Sequence, residues 1–168
     1  IMNRSANHSS MELLSMCAST LLRFGPAAVL AAMLVPAQAQ PGFQANDPNT
    51  FVNAAQAALN DMSQGKAEDI WKEASAEMKK IDKRSAFVKN SAERYKDVGP
   101  AQQRVWVAIN RLVMPQPAKD AKGPQPPAGQ YVNVTFLSQF ANNRSGFERV
   151  TYFLDPDGQW RVMGFALR

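Results

Sequence analysis

The chain has 168 residues, of which 45% are hydrophobic and 20% are charged, and its formal net charge at pH 7 is +5. This length allows one domain, and the composition is typical of a folded globular protein rather than a disordered one. The single cysteine excludes a framework of intrachain disulfides.

The first part of the chain has the pattern of a secretory signal. Arg23 precedes an apolar run of about ten residues at 26–35, and Ala37-Gln38-Ala39 follows as an A-x-A cleavage site. A buried helix is the alternative, but it does not explain the cleavage site. The run is too short to span a bilayer, which takes about 20 apolar residues. We therefore expect residues 1–39, the upstream residues and signal peptide, to be removed near Ala39. The remaining chain is predicted to be periplasmic or secreted, without a transmembrane span.

Removal of this segment restricts the chemistry of the mature domain, because the only cysteine, Cys17, and the only histidine, His8, lie within it. A Ser-His-Asp triad, a cysteine nucleophile and a zinc site built on His and Cys are then excluded. No Gly-rich phosphate loop of the Walker type is present. We therefore expect no catalytic residue, no metal site and no cofactor.

Helices are predicted in the first half of the mature domain. Residues 40–46 are expected to be a flexible leader, and residues 47–168 a single domain. Asp47 and Pro48 begin the first helix, since Asp caps a helix and Pro occupies its first position. Ser63-Gln64-Gly65 ends this helix.

Two further helices follow in the pattern. Apolar residues at helical spacing predict a second helix over residues 67–80. Asp82 is expected to cap a third helix that carries Phe87 and Tyr95, and Gly99-Pro100 to end it.

The period then changes to that of β-strands. Alternation predicts strands over residues 104–114, 129–140, 147–154 and 159–167. A proline-rich loop at 115–129 separates the first two strands. Asp155-Pro156-Asp157-Gly158 is a tight-turn signal, and a shorter turn is expected around 142–146. The last three strands should form an antiparallel meander.

Helices followed by strands predict an α+β fold. We expect the amino-terminal helices to pack on one face of a curved four-stranded antiparallel sheet. This is the element order of cystatin-like and NTF2-like folds, the latter being domains with a cavity. Such an analogy of fold assigns no function.

Four segments near the carboxyl end carry a family resemblance: Gly129-Gln130-Tyr131, Phe140-Ala141-Asn142-Asn143, Glu148-Arg149-Val150-Thr151 and the run from Asp157 to Phe165. They resemble the G-x-Y, F-A-N-K, E-x-V-T and D-G-x-W-R-V-x-G-Y patterns of the DUF4019 family. The resemblance covers residues 67–168, most strongly from Gly129 on. Asn143 replaces the lysine and Phe165 the tyrosine, and the proline-rich loop is a further departure. The resemblance implies a small exported bacterial protein of unknown function, with no catalytic residues to transfer.

Carboxylate chemistry remains an alternative, because NTF2-like enzymes can move a proton with a buried acid beside a tyrosine. The candidates are Asp69, Glu148, Tyr95 and Tyr152. In the competing interpretation Asp69 is an ordinary acid in a first helical turn and Glu148 is paired to a basic neighbour. The competing interpretation is favoured, since nothing in the sequence indicates a desolvated carboxylate.

Three other patterns have a functional and a structural interpretation. The aromatic residues Trp71, Tyr95, Trp106 and Trp160 are candidates for a ligand pocket, but core packing is favoured. The turn at 155–158 lacks the spacing of an EF-hand calcium loop. The basic cluster Lys79, Lys80, Lys83 and Arg84 is interrupted by acids. From Gln40 on, the chain has 17 Lys and Arg and 13 Asp and Glu, a net charge of +4. This modest charge favours a solvated surface over nucleic-acid binding. Weak attraction to an anionic envelope surface remains as a functional interpretation.

Three hypotheses for function result. The first is a non-catalytic binding or accessory domain of the bacterial periplasm, with a small molecule or an envelope protein as partner. The second is a carboxylate-dependent NTF2-like enzyme of the isomerase type. The third is a protein–protein module of the envelope, such as an assembly factor or an inhibitor, which an exposed apolar patch favours.

Overall fold

The computed structural model describes residues 42–43, 45–118, 120 and 122–168. The predicted signal peptide, with His8 and Cys17, lies outside the described residues. The helices are α1 (Pro48–Ser63), α2 (Ala67–Lys72), α3 (Ala76–Ile81) and α4 (Arg84–Val98), and the strands are β1 (Ala101–Met114), β2 (Gly129–Phe140), β3 (Ser145–Leu154) and β4 (Trp160–Leu167). None of the described helices is long and apolar enough to cross a membrane.

The ends of α1 and α4 agree with the sequence. The Asp47 carboxylate accepts a hydrogen bond of 2.9 Å from the Asn49 amide at the start of α1. Gly99 ends α4 with a φ of 75°, a conformation that glycine adopts without strain. Asp82 differs from the prediction, because its carboxylate accepts from the neighbouring Lys83 amide and not from an amide inside α4.

The single helix predicted over 67–80 is wrong, because the chain breaks between α2 and α3 at Ser75. The Ser75 amide donates to the Val162 carbonyl of β4 at 2.9 Å, and so leaves the helical ladder. The Ser75 hydroxyl caps α3 at the Glu77 amide, 3.1 Å away, and donates to the Asp155 carboxylate at 2.7 Å. Contacts with the sheet therefore override a helical periodicity that runs through the break.

The four strands form one antiparallel sheet in the order β1-β2-β3-β4. The predicted meander is confirmed and extends to β1. The turn after β3 is also confirmed, since the Gly158 amide donates to the Asp155 carbonyl at 2.9 Å and Gly158 has a φ of 78°. Two register shifts interrupt the pairing of β1 with β2, one between Ala101 and Gln103 and one between Trp106 and Ala108.

The core lies between the helices and one face of the sheet, which confirms the α+β class. In one cluster Phe51 and Leu59 of α1 pack with Val134 of β2 and Val150 of β3. A second cluster joins α2, α3 and α4 to Phe140 at the end of β2. The buried residues of β2 and β3 follow the period of two predicted for these strands. The alternation predicted for β4 is wrong, because a register shift between Thr151 and Tyr152 brings both Val162 and Phe165 against the core.

The described part of the segment predicted to be a flexible leader contacts the domain at Phe43 and at Ala45, whose carbonyl accepts from Arg111 at 3.4 Å. The Phe43 amide and carbonyl pair with Trp160 at 3.2 and 2.8 Å. The Phe43 ring packs edge-on against Phe51 and Tyr152. Phe43 thus covers part of the edge of β4.

Candidate functional site

The carboxylate of Glu148 lies at the centre of a buried polar network. Its side chain is 0% exposed and that of Arg104 is 5% exposed. The Arg104 guanidinium donates to Glu148 Oε2 from Nε at 2.6 Å and to Oε1 from Nη2 at 3.2 Å. The Arg104–Glu148 pair is therefore a bidentate ion pair inside the core.

Two hydroxyl groups complete the network. Tyr95 donates to Glu148 Oε1 at 2.5 Å, and Ser138 donates to Oε2. Burial, and then the negative charge of Glu148, raise the pKa of Tyr95 far above its usual value. Burial opposes the charge of Arg104, but the hydrogen bond and charge of Glu148 prevail and raise the pKa of Arg104. The network thus fixes Arg104 as a cation and Tyr95 as a neutral donor.

The structure brings together two of the sequence-predicted candidates, Glu148 and Tyr95, but in a closed environment. The Tyr95 ring stacks on Phe165 with the ring centroids 5.8 Å apart. Neither Glu148 nor Tyr95 lines any of the cavities described below. Both Glu148 oxygens are occupied by donors, as the competing interpretation required. A proton-transfer base needs a free lone pair within reach of substrate, and this carboxylate offers none.

Asp69 and Tyr152, the other two candidates, line a different cavity of about 40 Å³. That volume holds a water molecule or two, whereas ligand pockets usually exceed about 300 Å³. Burial raises the pKa of Tyr152 well above its usual value. A hydrogen bond of 2.8 Å from Lys72, with its charge, lowers the pKa of Asp69, which makes Asp69 a weaker base near neutral pH.

The four aromatic candidates do not line a common pocket. Trp160 belongs to the core beside Phe51, and Trp71 packs against Phe87 on α4. Trp106 is 54% exposed on β1. Core packing therefore accounts for most of these residues.

Two of the four cations in the predicted basic cluster are paired with acids. Lys80 pairs with Glu77 at 2.6 Å, and Arg84 pairs with Glu68. The Lys79 ammonium donates to the Lys72 carbonyl. These contacts support a solvated face.

The turn after β3 is organised by an arginine. Arg161 donates to Asp155 at 2.9 Å and to both carboxylate oxygens of Asp157 at 2.9 and 2.7 Å. The hydrogen bonds from Arg161 lower the pKa of Asp157 to about 2. Among the described residues, no cluster of acids, cysteines or histidines is arranged to hold a metal ion.

The comparisons with known proteins decide the family. A family model described as a protein of unknown function, DUF4019, matches residues 54–165. The chain belongs to the DUF4019 family. No curated protein and no solved structure matches it significantly.

The motif residues of this DUF4019 chain have structural roles in the sheet. Glu148, from the E-x-V-T motif, is the buried network acid. Asp157 and Arg161, from D-G-x-W-R, form the ion pair of the hairpin turn. In G-x-Y, Tyr131 packs edge-on against Phe153, and Gly129 lies where a Cβ would come within 2.5 Å of that ring.

The sequence did not reveal an exposed surface on the other face of the sheet of this DUF4019 chain. Val105, Leu137 and Phe147 oppose one another across β1, β2 and β3, and they are 51%, 43% and 52% exposed. We name these three residues the apolar row. Leu137 and Phe147 are out of phase with the buried residues of their strands, which is the signal that could have identified them.

Proposed function

We propose that the chain is an exported, non-catalytic binding or accessory domain of the bacterial envelope. The observation that carries the proposal is the Arg104–Glu148 pair. A carboxylate held in the core by one arginine and two hydroxyls stabilises the fold and has no access to a substrate. The surface remains for binding, and on it the apolar row is exposed.

The arrangement of the elements supports a cystatin-like or NTF2-like assignment of the fold. Helices precede four antiparallel strands, and α1 packs across residues from three of them. NTF2-like domains have a cavity, whereas apolar side chains fill most of the space between α1 and the sheet here. A filled core favours binding at the surface over binding inside the fold.

The carboxylate-dependent isomerase remains the second candidate, because Tyr95 lies 2.5 Å from a buried acid as that chemistry requires. The geometry argues against it, since four hydrogen bonds from Arg104, Tyr95 and Ser138 occupy the Glu148 carboxylate and leave no lone pair for a substrate proton.

The rate of proton exchange next to the carbonyl of a β,γ-unsaturated ketone distinguishes the non-catalytic binding domain from the isomerase. We expect the rate with the protein to equal that in buffer, and Tyr95→Phe to leave it unchanged. An accelerated exchange that Tyr95→Phe abolishes, in a variant that still folds, would support the isomerase and contradict the non-catalytic proposal.

Export is tested separately. We expect the tagged chain, expressed in a Gram-negative bacterium, to be recovered from the periplasm with an intact mass that begins at Gln40. Retention in the cytoplasm with residues 1–39 attached would contradict export. An Ala39→Leu variant should block processing at the A-x-A site and serves as the control.

A further inference from the structure

Five of the eight described arginines have no carboxylate partner among the described residues. Arg84, Arg104 and Arg161 form ion pairs, and Arg111 lies over the rings of Phe51 and Trp160. The remaining four come from α4, the turn after β2, β3 and the end of the chain: Arg94, Arg144, Arg149 and Arg168. We name these four the arginine group.

Surface pockets bring the arginine group together. Arg94, Arg144 and Arg168 line a pocket of about 430 Å³ whose one acid is Asp97. Arg149 and Arg168 line a second pocket of about 230 Å³. Arg168 lines both pockets, so the four arginines border one stretch of surface around the end of β4, where Arg94 also donates to the Leu167 carbonyl at 3.1 Å.

The apolar row is contiguous with the arginine group. Phe147 lines the second pocket beside Arg149 and Arg168. The Phe147 and Arg168 backbones exchange hydrogen bonds of 2.8 and 3.0 Å. Directly paired residues of neighbouring strands project to the same face, so Arg168 continues the row Val105–Leu137–Phe147.

We propose that this surface docks the protein onto an anionic phospholipid membrane. The proposal rests on the proposed binding function and names its partner. The arginine group would bind lipid phosphates, because a guanidinium matches a phosphate with two parallel hydrogen bonds. The apolar row would enter the boundary between headgroups and acyl chains, as exposed aromatic and aliphatic residues do in peripheral proteins. Charge complementarity therefore selects an anionic lipid as the occupant.

Vesicle flotation tests the proposal with the protein recovered from cells. We expect binding to vesicles of phosphatidylglycerol and phosphatidylcholine, weakening with salt, and little binding to phosphatidylcholine alone. The triple variant Arg94→Gln, Arg144→Gln, Arg168→Gln should lower the partition constant roughly a hundredfold, because each basic residue near the surface contributes about fivefold.

A matched triple variant removes the same charge elsewhere. Lys79, Lys83 and Lys122 are exposed lysines that line neither of the arginine pockets. Their replacement by glutamine should change the partition constant less than about threefold, since charges far from the docking surface act only through screened long-range attraction. Equal losses in the two triple variants would overturn the proposal, because they would indicate attraction by net charge alone.

Two single variants test the contribution of the apolar row. Phe147→Ser should weaken binding about fivefold to tenfold, which corresponds to the half of the ring that is still exposed. Val113→Ser, at a residue that is 76% exposed outside the apolar row, should leave binding unchanged.

All variants carry the same amino terminus, so these differences do not depend on whether residues 1–39 are removed. Absence of vesicle binding, or capture of an acidic protein that competes with vesicles for the arginine group, would overturn the lipid proposal and leave the export and non-catalytic results unaffected.

Discussion

Arg104 Nε lies 2.6 Å from Glu148 Oε2, so an ion pair connects β1 to β3 past the intervening strand β2. The two residues are far apart in sequence and both side chains are buried. Removing two charges from water is costly, and only close geometry with further hydrogen bonds offsets that cost. Tyr95 and Ser138 supply those bonds here, which makes each member of the network dependent on the others.

We therefore expect Arg104→Met to lower the free energy of unfolding by about 3–5 kcal/mol, because it leaves Glu148 buried without a cation. Denaturation in urea measures this loss. The double variant Arg104→Met, Glu148→Met should lose less than the sum of the single variants, since the uncompensated charge is then absent.

The surface pair of Lys80 and Glu77 provides the control for this prediction. Its lysine is 68% exposed, and Lys80→Met should cost less than about 1 kcal/mol. If Arg104→Met costs as little as Lys80→Met, the network does not stabilise the fold as proposed.

Acid stability should depend on Asp157, whose pKa the Arg161 hydrogen bonds lower to about 2. An acid with a lowered pKa in the folded state stabilises the protein above its unfolded pKa, about 3.9. This contribution is lost as the pH falls from about 4 to 2, because the unfolded state then binds more protons. The melting temperature of the wild type should therefore fall more steeply over this window than that of Asp157→Asn.

Asp120→Asn is the matched control for the acid series, since Asp120 is an exposed acid of the proline-rich loop that lines neither of the arginine pockets. The melting temperature of this control should fall with pH as that of the wild type does. A wild-type slope equal to that of Asp157→Asn would show that the Arg161 contact does not favour the ionised form in solution.

The order of elements could be predicted from local patterns, and the polar network could not. The period of two along β3 puts Glu148 on the same face as Val150, and this much is visible in the sequence. Its partner depends on the register of β1 against β2. That register is set across a long proline-rich loop, and it includes two shifts that have no local signature. The arginine group was not predicted for the same reason, because its members come from four separate elements.

The break at Ser75 shows the same limit at a helix. Residues 67–80 have a continuous helical period, and the hydrogen bonds that interrupt it come from Val162 and Asp155 in the sheet. The cap at Asp47 and the turn at Gly158, which use nearby residues, were predicted correctly, whereas the cap predicted at Asp82 was not. Contacts formed by distant residues were not.

Gly129 is expected to be intolerant of a side chain. Its φ is 150°, and a Cβ there would lie 2.5 Å from the Phe153 ring. Gly129→Ala should lower the free energy of unfolding by about 1–3 kcal/mol, because the ring and the backbone must shift. Gly164→Ala is the control, since a Cβ there meets nothing within 4 Å, and it should be nearly neutral. Equal stability of the two variants would contradict the close packing of Gly129 on Phe153.

Ser75 offers a test of how the helices are attached to the sheet. Ser75→Ala removes the cap of α3 and the hydrogen bond to Asp155, two contacts of one buried hydroxyl. We expect a loss of about 1–3 kcal/mol in urea denaturation, because an N-cap and a bond to a charged acceptor disappear together. Ser63→Ala, which removes a hydroxyl bonded only to the Asn60 carbonyl at the end of α1, should change stability by less than about 0.5 kcal/mol.

The Ser75 variant should also exchange its α3 amide hydrogens faster, whereas amides in α1 keep their protection. Uniform loss of protection in both helices would indicate that Ser75 supports global stability rather than the local attachment of α3 to β4.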